Sequence, residues 1–356
     1  MRRQLPDFGL DAIALSPSDN LLHTTGFSPM PDERFCALLV TNAGEAFIVP
    51  QLNADQTAAA LPGLTIWRWK DEDGAAGALE CALAELNGAQ LRAVAIDPEM
   101  RAEALLELLD TAPEIRAVNG GPLMRALREV KRPDETELLS RSAATADHAI
   151  RSAIAACRPG VTEIEVSGAA YDAFREVGAV DPWVLVASGP NGAFPHHETS
   201  SRVLQAGEPI VIDLGAKLDG YASDITRMVH LGEPSSQYWE VHEVVESAVE
   251  AALAAALPGA TCGEVDRAAR DVIEAAGYGE RFFHRTGHGL GLSTHEPPWI
   301  MAGEDVPLRA GMVFSIEPGI YLEGEFGLRL EDIVHLTDAG PEIFSKLSRA
   351  VEVIAS

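Results

Sequence analysis

The sequence contains few positively charged residues, and this limits the partners that it can bind. Its 27 lysines and arginines stand against 54 aspartates and glutamates, for a formal net charge of -27 at neutral pH. Such an excess of negative charge repels a phosphate backbone, so the composition argues against nucleic-acid binding. We expect most of the surplus carboxylates to lie on a solvated surface.

Cysteine is scarce as well, and its spacing excludes a common type of site. The four cysteines lie far apart in the chain, with no CxxC pair, at Cys36, Cys81, Cys157 and Cys262. This spacing is not that of a zinc site built from cysteine pairs or of a disulfide framework. The cysteines are expected to be reduced, partly buried thiols in a cytoplasmic protein.

Long apolar runs are also missing. The N-terminus starts with two arginines, but Pro6, Asp7 and Asp11 interrupt it before an apolar run develops, which is unlike a signal peptide. The most apolar helix candidate, at 241–257, contains three glutamates, so no membrane span is predicted. The remaining classes are a cytoplasmic enzyme and a cytoplasmic binding protein.

The length and the segment pattern predict two domains. A chain of 356 residues is long for one core. Its first third alternates strand-like segments (LDAIALS, FCALLVTNAGEAFIVP, TIWRW, RAVAID) with helix-like ones (AAGALECALAEL, PEMRAEALLELL), the pattern of a small α/β domain. The charged, proline-marked stretch REVKRPDETELL then leads into a long helix candidate. We predict an N-terminal α/β domain at 1–130 and a second domain at 131–356.

The second domain contains an internal repeat. PGVTEIEVSGAAYDAFREVG at 159–178 matches PGATCGEVDRAARDVIEAAG at 258–277, and each copy is typical of a helix with a threonine cap and a glycine terminator. A glycine-rich loop, His-Glu, Ala-Gly and two acid-bearing strands follow each copy. The domain is therefore predicted to consist of two related halves, each with a hairpin.

The first hairpin brings two carboxylates together. Asp213 lies in VIDLG and Asp224 in YASDIT, with a plausible turn at Asp219-Gly220. Antiparallel pairing around such a turn puts both acids on one face of the sheet, opposite each other or one diagonal apart. Two ionised carboxylates at that distance repel each other, and a bound cation removes the repulsion.

The second hairpin repeats this arrangement with Glu317 in FSIEPG and Glu331 in LRLED, around the turn candidates Gly324 and Gly327. An odd-length loop again puts both acids on one face. If the halves are related by an approximate two-fold axis, four carboxylates point into one cleft. A set of acids within apolar strands, where an unpaired carboxylate is costly, favours a metal site.

The stretch GHGLGLSTHEPP, at 287–298, admits three interpretations. A zinc-protease helix requires a second histidine four residues after His295, but Trp299 is there and two prolines precede it. A dinucleotide loop requires a third glycine where Leu292 stands. His288 as a metal ligand remains. Four carboxylates and one imidazole suit two hard divalent ions, with Mn²⁺ preferred and Co²⁺ or Zn²⁺ as alternatives.

The motifs ASGPNGAFPHH, VIDLGAKLDGYASDITR, HRTGHGLGLSTHEPP, MVFSIEPGIY and GLRLEDIV together resemble those of the pita-bread metallopeptidases. Within that group they are most similar to the Xaa-Pro peptidases, prolidase and aminopeptidase P. The resemblance covers the whole chain and implies an α/β (α+β) architecture. It further implies a creatinase-type N-terminal domain, a pita-bread catalytic domain and a homodimer.

The resemblance also implies a role for each ligand. Asp213 would bind one metal ion, Asp224 and Glu331 would bridge both ions, and His288 and Glu317 would bind the second. A hydroxide shared by the ions would attack the carbonyl that precedes proline.

Further roles follow from the same resemblance. Glu317 would also shuttle the proton. His196 and His295 would contact the substrate and the developing oxyanion, with His196 preferred over His197 by the family pattern. Arg329 would hydrogen-bond the ligand carboxylates.

Substrate length is left open. Dipeptidases commonly read the proline carboxylate with an arginine between the two motifs that contain His295 and Glu317, and Arg309 is the only basic residue in that interval. The short chain and the HEPP loop favour an Xaa-Pro dipeptidase, with an aminopeptidase P acting on longer peptides as the alternative. Candidates for the proline-binding wall are Trp299 and Tyr221. A creatinase-like hydrolase without metal and a non-enzymatic binding protein are less favoured, because no ligand is missing.

Overall fold

The structure is a computed structural model that describes residues 1–355. The chain divides into two compact units, Met1–Arg128 and a second unit that starts at Glu129. The sequence-based boundary, between residues 130 and 131, lies two residues further along the chain. Within residues 1–355, no helix is both long and apolar enough to cross a membrane.

The first unit is a six-stranded mixed sheet with helices. Its strands are β1 (Ala12–Leu15), β2 (Ala37–Thr41), β3 (Glu45–Pro50), β4 (Thr65–Trp69), β5 (Ala93–Ile96) and β6 (Arg116–Asn119). Its helices are α1 (Asp19–Thr25), α2 (Gln51–Ala60), α3 (Ala76–Glu85), α4 (Ala102–Thr111) and α5 (Gly121–Arg128), with 3₁₀ turns at Arg2–Phe8 and Gly88–Gln90. The strand order is β4-β3-β2-β1-β5-β6, and β1 pairs in parallel with β5.

Apolar runs explain where the first five strands form. The strands β1, β2 and β5 are buried along their whole length, as expected for continuous apolar segments in the middle of a sheet. A turn at 42–44, within the strand-like segment FCALLVTNAGEAFIVP, connects β2 to β3. The strand β6 escapes prediction because it is a half-exposed edge strand without an apolar run.

The second unit contains four long helices and the remaining strands. The helices are α6 (Pro133–Ala156), α7 (Glu163–Glu176), α8 (Ser236–Ala255) and α9 (Cys262–Ala275), with 3₁₀ turns at Gly189–Ala193 and Gly279–Arg281. The strands are β7 (Val180–Ser188), β8 (Pro209–Leu218), β9 (Tyr221–Ala222), β10 (Ile225–Leu231), β11 (Gly287–Gly289), β12 (Glu296–Ile300), β13 (Val313–Ile316), β14 (Gly319–Leu322), β15 (Phe326–Arg329), β16 (Asp332–Thr337), β17 (Gly340–Ile343) and β18 (Glu352–Ile354).

The predicted repeat is present as two matching helices. Thr162 caps α7 and Thr261 caps α9, and in each case a glutamate three residues later completes a capping box. Both helices are followed by a glycine with positive φ, as predicted from the sequence. The apolar faces of α6 and α7 pack with β8 and β10, and those of α8 and α9 pack with β13 and β16.

The first hairpin has the predicted turn and a diagonal register. Asp219 and Gly220 both have positive φ and connect β8 to β9. Asp213 pairs with Thr226, and the same register puts Asp224 opposite residue 215, in the break between β9 and β10. The two aspartates therefore lie one diagonal apart on the same face.

The second hairpin has the odd-length loop that the sequence favours. Leu322 pairs with Phe326, so the loop contains three residues, and Gly324 in it has positive φ. The register of β13 with β16 continues unchanged into that of β14 with β15. Glu317 and Glu331 occupy facing positions at the interruption between the two pairs. Gly327, the other turn candidate, lies inside β15 instead.

The strand β11 approaches β13 so closely that a side chain does not fit between them. A Cβ at Gly287 would lie 1.9 Å from the carbonyl oxygen of Ser315. The segment before His288 therefore lies directly against the segment before Glu317. Glu317 N also donates to Thr286 O at 2.8 Å, which keeps the two segments together.

We therefore expect Gly287→Ala to lower the free energy of unfolding by about 1–3 kcal/mol, the usual cost of overpacking, and to weaken divalent-metal binding. Gly168→Ala is the matched control, because nothing lies within 4 Å of a Cβ at that position of α7. The control should gain about 0.5–1 kcal/mol from helix propensity. Urea unfolding measures the stability of the two variants, and calorimetry with Mn²⁺ measures their metal binding. A Gly287→Ala protein with wild-type stability and wild-type metal affinity contradicts this expectation.

Candidate metal centre

A cavity of about 1100 Å³ opens in the second unit. Its lining includes every candidate metal ligand and catalytic residue from the sequence, namely His196, Asp213, Asp224, His288, His295, Glu317, Arg329 and Glu331. They come from both halves of the repeat, from the strands and from the breaks between strands. Residues far apart in the sequence thus share one concave surface, the usual form of a small-molecule site.

The carboxylate and imidazole donor atoms form three overlapping groups, within each of which the atoms lie within 4.8 Å of one another. Two of the groups resemble two metal sites that share Glu331: Asp213, Asp224 and Glu331 form the first, and His288, Glu317 and Glu331 form the second. The third group consists of Asp224, His288 and His295. A shared carboxylate between two donor groups is the arrangement that a dinuclear site requires.

The orientation of His288 suits a metal ligand. Its Nδ1 lies 3.0 Å from the carbonyl oxygen of Gly289, which can only accept, so Nδ1 donates its hydrogen there. That bond leaves the Nε2 lone pair of the neutral ring available for a metal ion. Nε2 lies 3.2 Å from Glu317 and 3.7 Å from Asp224.

Asp213 shows that the donor set fits a cation. Its Oδ2 accepts from Arg329 at 2.6 Å, whereas its Oδ1 is buried without a hydrogen-bond partner. A buried carboxylate oxygen without a donor is costly, and a cation in the cavity removes that cost. Arg329 also donates to Thr226 Oγ1 and to the Tyr321 hydroxyl, while Thr226 donates to Glu331 at 2.8 Å.

The electrostatics of the metal-free site also favour a bound cation. Burial and the neighbouring carboxylates raise the pKa of both Asp224 and Glu331 well above the ordinary value. Burial also raises the pKa of Asp213, although Arg329 opposes the shift. Without a cation, some of these groups must keep a proton, because four ionised carboxylates this close repel one another.

Glu317 behaves differently from the other acids. Burial alone raises the pKa of Glu317, but in the metal-free protein a doubly protonated His288 donates to it from Nε2, and this hydrogen bond and positive charge hold the pKa at about 2. His288 would have to lose that Nε2 proton to bind a metal ion. Ser315 Oγ also donates to this carboxylate at 3.0 Å. Glu317 is therefore the acid of the set that ionises most readily next to a positive charge, whether that charge is on His288 or on a bound ion.

The structure distinguishes the two histidines of the PHH motif. His197 Nε2 lies 2.9 Å from Glu163, a fully buried acid in the first turn of α7. The same carboxylate accepts hydrogen bonds from Ser188, Asn191 and Ser200. Burial raises its pKa, but the hydrogen bonds from Ser200, His197 and Ser188 outweigh burial and hold the pKa at about 2. Both histidines line the cavity. His197 anchors the loop through Glu163, whereas His196 has no such bond to a carboxylate among residues 1–355.

The loop that contains His295 is anchored by a buried ion pair. Lys131 Nζ donates to Glu296 at 2.8 Å, and both side chains are almost completely buried. Glu296 also accepts from the backbone of Ser293, so the loop folds around this carboxylate. The ring of His295 then lies 4.2 Å from that of His288, and burial lowers its pKa to about 4.

The apolar wall of the cavity is not the one expected from the sequence. Neither Trp299 nor Tyr221 belongs to the lining; the Tyr221 hydroxyl donates to Glu135, and Trp299 packs beneath Arg285. The wall is formed instead by the apolar and aromatic side chains Tyr171, Trp183, Val184, Leu185, Phe194 and Phe283. Arg309 is not a lining residue either, and it pairs with Glu129.

Some residues around the site were missed in the sequence. Glu163, Lys131, Tyr321 and His284 take part in its support: His284 Nε2 lies 2.9 Å from the Tyr321 hydroxyl, which in turn contacts Arg329. The repeat offered one signal, because Glu163 is an acid at the buried position where the second copy has Cys262. The partners of Lys131 and Tyr321 depend on tertiary contacts that no local pattern encodes.

Comparison with known proteins agrees with this geometry. The family model for metallopeptidase family M24 matches residues 137–338, and that for the creatinase/prolidase N-terminal domain matches residues 1–130. Both fold expectations, the creatinase-type domain and the pita-bread domain, are confirmed.

Individual relatives cover nearly the whole chain. The probable dipeptidase PepE of Mycobacterium tuberculosis is 39% identical over 340 residues, which span 94% of this chain and 89% of that protein. The Xaa-Pro dipeptidase of Lactobacillus helveticus is 34% identical over 360 residues, spanning 99% and 98%.

A solved structure extends the similarity to the fold. The recombinant prolidase of Thermococcus sibiricus superposes with a TM-score of 0.93 at 33% identity, covering 99% of this chain and 97% of that one. Cavity, donor set and similarity thus point the same way, and this chain belongs to metallopeptidase family M24, whose members are divalent-metal-dependent peptidases.

Proposed function

We propose that this protein is a dinuclear metallopeptidase that hydrolyses the Xaa-Pro bond, with Xaa-Pro dipeptides as its main substrates. The observation that carries the proposal is the pair of donor groups sharing Glu331 beneath a cavity that also contains His196 and His295. Its relatives include an Xaa-Pro dipeptidase and a prolidase, which supports the same bond specificity.

We propose Mn²⁺ as the native ion, because four carboxylates and one imidazole form an oxygen-rich set that hard divalent ions prefer. Asp213 would hold one ion, His288 and Glu317 the other, and Asp224 and Glu331 both. The bound ions supply Lewis acidity, which polarises the scissile carbonyl and activates water as the nucleophile. Arg329, through Asp213, fixes the orientation of the ligand set.

The protein side chains supply proton transfer and charge stabilisation. Glu317 accepts the proton of the attacking water at its carboxylate and delivers it to the leaving proline nitrogen. His295, neutral because burial lowers its pKa to about 4, donates a hydrogen bond to the developing oxyanion. His196, across the cavity, contacts the substrate from the other half of the repeat.

The apolar wall of the cavity provides a physical basis for a preference for Xaa-Pro bonds. An Xaa-Pro bond has no amide hydrogen, so a cleft that relies on strand-like pairing with the substrate loses one donor. The rings of Trp183, Phe194 and Phe283 instead offer surface for the pyrrolidine ring or for the Xaa side chain. An aminopeptidase P acting on longer peptides is the second candidate, because Arg309 is not available to mark the end of a dipeptide.

We also propose a homodimer. Phe194 and Phe283 line the cavity, yet each is more than half exposed, at 58% and 63%. Large exposed aromatic side chains next to a site are typical of surfaces that a partner or a ligand covers. Light scattering of the purified protein measures the oligomeric state directly.

A cytoplasmic location is the remaining proposal. The four cysteines form no disulfide, and Cys36, Cys157 and Cys262 are buried. Burial raises the pKa of the Cys36 and Cys157 thiols to about 12, so neither is a reactive thiolate. Cysteines without disulfides fit a reducing compartment.

The substrate class is tested with Ala-Pro, Ala-Pro-Ala and Ala-Ala, incubated with manganese-loaded protein. We expect Ala-Pro to be cleaved fastest and Ala-Ala not at all, because the control lacks the proline ring. Cleavage of the tripeptide alone makes the protein an aminopeptidase. No metal-dependent cleavage of any of the three refutes the peptidase proposal.

Glu317→Gln should lower kcat by about 10²–10⁴-fold, the usual contribution of general acid-base catalysis, because an amide cannot carry the proton. Asp219→Asn, in the hairpin turn, is a matched control that removes an exposed carboxylate. Metal content measured by mass spectrometry separates lost proton transfer from lost metal. A Glu317→Gln protein with near-normal kcat refutes the assigned role.

Metal binding should depend on pH in a defined direction. Asp224 and Glu331 have a raised pKa in the metal-free protein, so below that pKa they must release protons before they can coordinate. The affinity for Mn²⁺ should therefore increase as the pH rises above the ordinary carboxyl range, and proton release should accompany binding. Calorimetry in two buffers of different ionisation enthalpy measures the proton release. Mn²⁺ binding without proton release contradicts the raised pKa values.

The same shifts predict the stability of the metal-free protein. A carboxyl group with a higher pKa in the folded state stabilises that state at low pH, and the contribution is lost as the pH rises through the folded pKa. Relative to Asp224→Asn, the metal-free wild type should therefore lose stability above about pH 4–5, the ordinary carboxyl range. Added Mn²⁺ should restore it. Thermal unfolding measured across a range of pH tests this expectation. If the unfolding temperatures of wild type and Asp224→Asn change with pH in parallel, the pKa of Asp224 is not raised.

A further inference from the structure

The imidazole ring of His295 is not held by hydrogen bonds of its own. It forms none with any of residues 1–355, and it contacts the ring of His288, with 4.2 Å between the two centroids. The ring of His288, by contrast, is oriented by the bond between its Nδ1 and the carbonyl oxygen of Gly289. The position of the His295 ring therefore depends on the backbone of its loop.

That backbone is folded around the carboxylate of Glu296, the residue next to His295. Ser293 N donates to this carboxylate, and a Cβ at Gly291 would lie only 2.6 Å from Glu296 Oε1. The carbonyl oxygen of Gly291 accepts in turn from Ala222 N of β9 at 2.8 Å. A displacement of the Glu296 side chain therefore displaces the segment that contains His295.

The carboxylate of Glu296 is held by a lysine from a distant part of the sequence. Lys131 Nζ donates to Glu296 Oε1 at 2.8 Å, and the two side chains are only 2% and 6% exposed. Lys131 lies in the segment that opens the second unit, where Lys131 N donates to Gly311 O and Val130 pairs with Met312. The backbone of the lysine is thus fixed directly before β13.

Stability is a weak explanation for this buried ion pair. Removing an ammonium and a carboxylate from water is costly, and apolar side chains of similar volume often stabilise a protein as well or better. A charged hydrogen bond does impose a direction, because it fixes where the carboxylate lies. The carboxylate fixed in this way belongs to the residue that follows His295.

We propose that Lys131 is a positioning residue for His295. Through Glu296 it holds the loop in the conformation that directs the imidazole to the developing oxyanion. This inference rests on the proposed function, in which His295 stabilises that oxyanion. Lys131 does not line the cavity, so its effect on catalysis is transmitted through the loop.

The test uses the manganese-loaded protein and two variants of the pair. Lys131→Met removes the ammonium and leaves the Glu296 carboxylate without it, whereas Lys131→Met/Glu296→Met replaces both charges by apolar side chains and removes that cost. Lys70→Met is the control, because Lys70 forms an exposed ion pair with Glu72 in the first unit. Urea unfolding and metal content are measured for each protein.

We expect both Lys131 variants to lower kcat on the Xaa-Pro peptide that is cleaved fastest by about 10–100-fold, a part of what one oxyanion donor contributes. KM should change less than about threefold, and two manganese ions should remain bound, because the ligands are untouched. The double variant should regain stability without regaining kcat. In a His295→Ala background the same changes should lower kcat by less than about threefold, since the ring that they misplace is absent. The control should match the wild type.

A near-normal kcat, a kcat that recovers together with stability in the double variant, or a loss that multiplies with that of His295→Ala overturns the proposal. Hydrogen exchange of the segment 290–296, followed by mass spectrometry, requires no turnover. It should become about tenfold faster in Lys131→Met, or in the double variant if the single one does not fold, while exchange in β10 stays unchanged.

The exchange measurement separates the two ways in which the account can fail. If no peptide is cleaved but the exchange of 290–296 responds, the proposed function fails and the role of Lys131 in holding the loop stands. If peptides are cleaved and the exchange does not respond, the role of Lys131 fails and the proposed function stands.

Discussion

Mutual repulsion among four buried carboxylates is the constraint on which the rest of the site depends. Two hairpins bring Asp213, Asp224, Glu317 and Glu331 to one point, and burial makes their charge more costly. In the metal-free protein the raised pKa values express this cost. A pair of divalent cations removes it, and the same ions supply the electrophile that a peptidase requires.

The surrounding structure holds this unfavourable arrangement in place. Arg329 and Thr226 fix two of the carboxylates, Gly287 allows β11 and β13 to approach each other, and Gly289 orients His288. In each half of the repeat a buried acid anchors the loop that contains a cavity-lining histidine, His196 in the first half and His295 in the second. Glu163 does so through His197, and Glu296 does so through Lys131. The site is therefore rigid because its support is buried and hydrogen-bonded.

Much of this was predictable because it is encoded locally. The threonine caps predicted the two helices of the repeat, and the turn at Asp219-Gly220 predicted the register that places Asp213 and Asp224 on one face. The edge strand β6 and the buried ion pair of Lys131 with Glu296 were not predictable, because they depend on neighbours distant in the sequence. The apolar wall of the cavity was misjudged for the same reason: Trp299 faces Arg285, and the lining aromatic residues lie in α7, in the edge strand β7 and in loops.

The central claim is that these five ligands hold two cations at once. Crystals grown with Mn²⁺ and measured at the manganese absorption edge test it most directly, since anomalous scattering shows the ions independently of activity. The account predicts two peaks, one among Asp213, Asp224 and Glu331 and the other among His288, Glu317 and Glu331. A single peak, or none in the presence of saturating Mn²⁺, contradicts it.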